Sequence, residues 1–396
     1  MMQISPETQL FIREHSSDDV RVLALQAKKY PDINMPTAIT QIAGRKVAAE
    51  KIPSWWEIEK IWYPKHLSLE QCSSEITARY KARLLQGDSL TDLTGGFGID
   101  CSFLATGFKS ATYVERQEEL CEIAAHNFPV LNLNHINIKN EDGVTYLQAM
   151  SPVDCLFLDP ARRNEHGGKT VAISDCEPNV AELEELLLQK ANRVMIKLSP
   201  MLDLSLALKE LKQTQEVHIL SVNNECKELL ILLGQTSPTE ISIHCVNLST
   251  KGTQEEQHFV FTREQEQCSE CTYTDSLETY LYEPNASLLK AGAFRSIAAA
   301  YPVRKLHPNS HLYTSDTFIE NFPGRIFRIV NQCSFNKKEV KENLADLKKA
   351  NVTVRNFPAT VAELRKRLHL TEGGDTYLFA STLNNGQKVI IRCEKV

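Results

Sequence analysis

The chain has 396 residues, 42% of them hydrophobic and 24% charged, with a net charge of −6. Those values exclude a disordered or collagen-like polymer, and at roughly 100–200 residues per domain they leave room for about two to four domains. No apolar run approaches the roughly 20 residues that would span a bilayer, the N-terminus carries no signal-peptide pattern, and the eleven cysteines are odd in number and scattered, so a soluble cytoplasmic protein with reduced thiols is expected.

Residues 1–85 read as helical, with apolar side chains at helical spacing in Val20, Leu23, Leu25 and Ala27 and again in Ile58, Ile61 and Trp62. Leu67 to Leu85 reads as one helix, opened by Ser68 with Gln71 three residues on, a capping-box spacing, and stopped before Gly87. From residue 89 short apolar runs alternate with helical stretches. The predicted strands are 89–94, 111–115, 135–140, 154–159 and 193–199, followed by 216–222 and 229–234 as a hairpin. A helix is predicted from Ile99 and another through Phe128. Such alternation, closed by a hairpin, predicts a parallel sheet with one antiparallel edge.

Past Thr236 the texture changes. EISIHCVNL and HFVFT are strand-like, and a polar stretch runs to about Ser276. Residues 279–324 contain Pro284, Pro302, Pro308 and Pro323. A compact α+β unit comes next: strand 325–330, helix Lys337–Lys349, a strand at VTVRNF, helix Val361–Leu368 and a terminal hairpin turning at Asn385-Gly386. Residues 276–396 hold 18 Lys+Arg against 11 Asp+Glu, a net of +7, so the remainder carries −13. A basic appendage on an acidic body suits contact with RNA, and equally suits ordinary surface charge.

Chemistry concentrates at four strand ends. Asp92-Leu-Thr94-Gly95-Gly96-Phe-Gly98-Ile-Asp100 joins a strand to a helix through glycines that let the backbone turn sharply and approach a ligand. A nicotinamide-binding turn needs G-x-G-x-x-G, and here the third glycine position is Cys101. Glu115 ends the second strand, where a carboxylate can hold ribose hydroxyls. Asp142, in NEDG after the third, could meet an adenine amino group or simply form a turn. Asp159-Pro160-Ala161-Arg162-Arg163 comes after the buried fourth strand. Proline there pins the backbone and aims the carboxylate at the crevice. The two arginines suit a phosphate or carboxylate, or an ion pair within the fold.

Together these residues resemble the class I S-adenosylmethionine-dependent methyltransferases over roughly residues 76–235. The wider layout resembles the bacterial members with a C-terminal THUMP-like domain, through LEQCSSEITARYKA, DLTGGFGID, DPARR, KLSPMLD, EPNASLLKAGAF, FPGRIF and VRNFP. The resemblance implies an α/β fold with a doubly wound, mostly parallel seven-stranded sheet, a helical N-terminal domain (1–75), a methyltransferase domain (76–237), linker strands with a small α+β module (238–324) and a THUMP-like, ferredoxin-like domain (325–396). It implies that Asp92, Thr94, Gly95, Gly96, Gly98 and Asp100 cradle S-adenosylmethionine, that Glu115 takes its ribose and Asp142 its adenine. Asp159 and Pro160 would face the methyl acceptor, with Arg162 and Arg163 on its phosphate. RNA is the implied partner. The family's amine-methylating members have Asp/Asn-Pro-Pro-aromatic here, whereas this chain has Ala161 and Arg162 at the last two positions. The competing readings are a methyltransferase for a protein or small molecule and a non-catalytic binding protein.

Other motifs carry less. The segment 164–178 is polar and glycine-bearing, as a substrate lid or a surface loop would be. One Cys268-x-x-Cys271 pair is too few ligands for structural zinc, and no metal is expected. Trp55, Trp56, Trp62 and Tyr63 suit a helical core or base stacking, and Arg365-Lys366-Arg367 suits solvent or phosphate. The oligomeric state stays open.

Overall fold

The computed structural model describes residues 4–162, 172–236, 238–251 and 256–396, apart from the side chains of His66 and Arg162. It divides into two compact units, Met1–Glu216 with Leu229–Pro238, and Val217–Glu228 with Thr239–Val396.

The first unit begins with helices Pro6–Glu14, Val20–Leu25 and Met35–Lys51. Phe11, Leu23, Met35, Ala38 and Ile42 bury one small core between them. The single helix expected over Leu67–Leu85 is instead two, His66–Gln71 and Glu75–Ala82. Ser68 lies inside the first and caps nothing. The chain breaks at Cys72–Ser74 because Ser73 is drawn into a buried ionic cluster around Asp100.

The sheet comprises β1 (Ser89–Asp92), β2 (Ser110–Glu115), β3 (Ile136–Asn140), β4 (Val153–Leu158), β5 (Ala191–Leu198), β6 (Thr214–Val222) and β7 (Glu225–Gly234). Their order is β6-β7-β5-β4-β1-β2-β3. β3, β2, β1, β4 and β5 run parallel, and β7 is antiparallel to β5. β4 is buried over its last four residues, as expected of a central parallel strand covered on both faces. The β6–β7 hairpin divides between the units. Its turn is Asn223-Asn224, at φ 51° and 67°, the left-handed pair that a tight two-residue hairpin requires.

In the second unit, β8 (Ser242–Leu248) hydrogen-bonds beside β6, and β9 (Glu256–Thr262) lies antiparallel to β8. Among the described residues, β1 to β7 are the seven strands expected, and β8 and β9 continue from the β6 edge within the second unit. A second sheet is built from β10 (Tyr280–Pro284), β11 (Arg304–Lys305), β12 (Tyr313–Ser315), β13 (Gly324–Ser334), β14 (Asn351–Arg355), β15 (Thr376–Thr382) and β16 (Lys388–Lys395). Its order is β11-β12-β10-β13-β16-β15-β14. Helices Lys337–Leu344 and Val361–Leu368 belong to the same module. Leu344, Leu370, Leu378 and Ile390 share one core cluster there. The first of these helices stops five residues short of the expected Lys349. Leu344 is its last buried residue, and the chain then turns back to seat Ala350 beside β14.

The glycine turn after β1 is held from behind. Phe97 and Ile99 pack with Ile52, Trp55, Ile61 and Tyr63 of the N-terminal helical segment. Gly96 and Gly98 sit at φ +55° and +87°, the left-handed region that side chains resist. Gly95 is required for space, because a Cβ there would lie 2.3 Å from the buried Tyr113 ring. Gly95→Ala is therefore expected to cost about 1–3 kcal/mol through overpacking. Chemical denaturation monitored on the whole chain measures this, and an unchanged midpoint would show that the ring yields freely.

Candidate active site

In an open α/β sheet the ligand crevice lies outside the carboxyl ends of the strands where the winding direction reverses. Here that point is between β1, which continues to β2 and β3 on one side, and β4 on the other. The residues expected to carry chemistry converge on it.

Asp92, the last residue of β1, is 1% exposed. Its Oδ1 accepts the Thr94 amide at 3.0 Å, while its Oδ2 is buried without a hydrogen-bond partner. Burial pushes this carboxyl up to about 8. The nearby charges of Asp100, Asp159 and Glu115 add to the shift and the Thr94 amide opposes it. Thr94 also bridges the two central strands, its hydroxyl accepting the Asp159 amide at 2.6 Å.

Glu115 ends β2 and ties the turn to it. Oε2 accepts the Gly96 amide at 2.9 Å and Oε1 the Gln117 amide at 2.8 Å. Each carboxylate oxygen keeps a second lone pair for a hydroxyl donor. The Tyr113 hydroxyl donates to the Gly96 carbonyl, fixing the turn from its other side. Asp142 is the N-cap of helix Gly143–Ala149, its Oδ1 accepting the Val144 and Thr145 amides at 3.0 Å each. That role accounts for the acid in NEDG by local structure.

Asp159 sits just past β4 and keeps 36% of its side chain exposed. Pro160 is buried behind it. Arg162 lies in a two-residue ribbon, Ala161–Arg162 against Cys176–Glu177. Arg163 and residues 164–171 of the suspected lid lie outside the described residues.

Sequence reasoning missed three residues of this site. Lys81, fully buried, holds Asp100 Oδ1 at 2.8 Å. Lys197, on β5, reaches Asp100 Oδ2 at 3.3 Å and Asp159 Oδ2 at 2.5 Å. Ser73 donates to Asp100 Oδ2 at 2.7 Å and accepts from both lysines, at 2.7 Å and 3.0 Å. Two ammoniums against two carboxylates make the cluster neutral. Burial alone would raise Asp100, but the paired lysines outweigh it and hold the carboxyl far below the usual range. Asp159 is pushed up by burial, with Lys197 opposing. The available signal was Lys197 itself, a charged residue inside the apolar run RVMIKLS, where burial demands a partner.

The aromatic residues near the N-terminus are spent on packing: Trp55 meets Phe97 edge-on and Trp62 stacks on His126 at 3.7 Å. Trp56 stays 42% exposed. In the second unit, Arg365 pairs with Glu372 at 3.1 Å and the Arg367 guanidinium lies 3.9 Å from the Phe335 ring centroid, whereas Lys366 is exposed.

A doubly wound sheet of this order with a glycine turn after β1 defines a class I methyltransferase fold. The chain is 33% identical to a Porphyromonas gingivalis W83 protein designated a methyltransferase, over 100% of both chains and with a TM-score of 0.87. Residues 280–323 match a ferredoxin-like domain and residues 324–395 a THUMP domain-like family. The chain belongs to the bacterial family of class I methyltransferases that carry a THUMP-like domain. Similarity extends to an rRNA methylase from Streptococcus thermophilus (14% identity, 40% of this chain, 93% of that one, TM-score 0.29). It extends also to a Streptococcus mutans protein designated a methyltransferase, in complex with SAH (13%, 40%, 96%, 0.30). Overlaps at those TM-scores say nothing further about this chain. No curated protein matches it significantly. Among the described residues no helix is long and apolar enough to cross a membrane.

Proposed function

We propose that this protein transfers a methyl group from S-adenosylmethionine to RNA in the cytoplasm. The observation that carries the cofactor half of this reading is Asp92 Oδ2, a buried carboxylate oxygen with no partner beside a left-handed glycine turn at the switch point of the sheet. A buried polar group left unsatisfied costs about 1–3 kcal/mol, so a polar ligand group that completes it is the economical explanation. The residues fit the cofactor. Asp92, Thr94 and Gly95 to Gly98 would hold its amino-acid end, and Glu115, through its spare lone pairs, would hold the ribose hydroxyls. Asp142 caps its helix through Oδ1 alone, which leaves Oδ2 to reach the adenine amino group.

When bound, S-adenosylmethionine supplies an electrophilic methyl group on a sulfonium. The protein's task is then to orient the acceptor and exclude water. Asp159 presents a carboxylate and Pro160 a carbonyl, both acceptors, which suits an acceptor that donates N–H.

The RNA half rests on the THUMP domain-like match and on charge. Lys337, Lys338 and Lys341 on one helix, with Lys348 and Lys349 just after it, are all exposed. Two of the three acids among them are engaged, Glu339 accepting the Ser334 amide and Asp346 pairing with Arg392 at 2.9 Å, while Glu342 is exposed. Methyl-labelled cofactor incubated with total bacterial RNA is expected to label RNA and not protein. Label in protein alone would overturn the RNA assignment. Substituting Lys337, Lys338 and Lys341 by Glu is expected to weaken RNA binding and to lower the salt slope by about three, one per lost phosphate contact. An unchanged slope would remove this face from the interface.

A further inference from the structure

Lys197 is an unusual occupant of its strand. β5 contributes buried residues from Val194 to Leu198, and Lys197 among them is 91% buried by its side chain. A lysine gives up hydration there only for compensating contacts. Its Nζ gathers Asp100 Oδ2, Asp159 Oδ2 and Ser73 Oγ. Asp100 has a second ammonium, Lys81, and a hydroxyl. Among the described residues, Lys197 is the cation paired with Asp159. Asp100 thus anchors Lys197, and Lys197 acts on Asp159.

We propose that Lys197 is the positioning residue of the methyl-acceptor site, tying down Asp159 Oδ2 so that the group keeps a fixed, ionised oxygen for an amine-type acceptor. This rests on the methyl-transfer reading for its purpose, not for its geometry. The Thr94 hydroxyl holds the Asp159 amide, Pro160 restricts the backbone, and Lys197 fixes one carboxylate oxygen. Three constraints on one residue leave its remaining oxygen as the variable contact at the crevice. Without the ammonium, burial favours the protonated acid, which donates a hydrogen bond where an amine needs an acceptor. The site would then have the wrong polarity for its substrate while keeping its shape. The same arrangement gives a physical reason why this chain can do without a second proline and an aromatic residue after Asp159-Pro160: an ion pair replaces backbone rigidity as the means of orientation.

The test needs no known acceptor. Carboxyl infrared difference spectra would be recorded at neutral pH on full-length wild type, Lys197→Met, Lys197→Arg and Lys197→Met/Asp159→Asn. Beyond the protonated Asp92 carboxyl that all four proteins share, an added protonated-carboxyl band is expected in Lys197→Met, absent from wild type and Lys197→Arg, and lost again in the double variant, which assigns it to Asp159 rather than Asp100. Equal spectra for wild type and Lys197→Met would overturn the proposal, as would an added band that survives the double substitution. If Lys197→Met fails to fold, Lys197→Gln, which keeps a donor but no charge, gives the same reading. With labelled cofactor and total RNA, the acid limb of the wild-type pH profile should move to higher pH in the Met or Gln variant and return in Lys197→Arg. A uniform loss of rate with an unmoved profile indicates a merely structural lysine and counts against the proposal. Wild type that transfers no methyl group to any cellular fraction would refute the methyl-transfer reading and leave the infrared result to decide the geometry.

Discussion

Asp100→Ala is expected to lower the stability of the protein by about 3–5 kcal/mol, because it strips a fully buried Lys81 and a nearly buried Lys197 of a shared carboxylate. Urea denaturation of the full chain at pH 7 measures the change directly. The sign of the pH dependence is fixed. The folded carboxyl titrates far below its unfolded value, so its contribution is present above the ordinary carboxylate range and fades as pH falls through it. The gap between wild type and Asp100→Ala should therefore narrow on acidification. A double change, Lys81→Met with Asp100→Leu, replaces a charge pair by apolar groups and is expected to recover much of the loss. A single substitution costing less than about 1 kcal/mol would put the cluster in the class of solvated surface pairs, which its burial contradicts.

Asp92→Asn is expected to act in the opposite direction on stability and to abolish ligand binding. The Asp92 carboxyl is raised from 3.8 to about 8. Between those values the folded chain keeps a proton that the unfolded chain has lost, so wild-type stability declines as pH rises through that window. Asparagine removes the titration. The variant should gain on wild type progressively up to about pH 8, seen as a thermal midpoint several degrees higher at pH 9 but not at pH 4. Each kcal/mol moves the midpoint by about 1–2 °C in a chain of this length. The stabilisation given by S-adenosylhomocysteine should vanish in the same variant. Such a trade of stability for binding marks a residue kept for function. Parallel melting curves at both pH values, with ligand stabilisation intact, would show that Asp92 is an ordinary buried acid.

Much of the catalytic unit is legible in local pattern. β1 to β4 announce themselves as short apolar runs between helical stretches, and each ends within two residues of its expected position. The glycines at 96 and 98 are legible because only glycine tolerates their φ at no cost. Glu115 is legible because a carboxylate at a strand end is a local fact. Partners distant in sequence are not: Lys81 and Lys197 meet Asp100 from 19 and 97 residues away, and no spacing rule connects them. Helix ends are also obscured. The break at Cys72–Ser74 is set by what Ser73 bonds, not by its helix propensity, and the early stop at Leu344 is set by where the core ends. In NEDG the acid was legible, but its capping of the next helix through Oδ1 was not.

The most direct test of the account is calorimetric titration of S-adenosylmethionine and S-adenosylhomocysteine into full-length wild type and into Glu115→Ala. Glu115 is chosen because its carboxylate touches the glycine turn and would touch the ribose. Saturable one-to-one binding of both ligands to wild type, weakened by at least about tenfold (1.4 kcal/mol) in the variant, is the predicted result. A folded wild type that binds neither ligand would contradict the account at its centre.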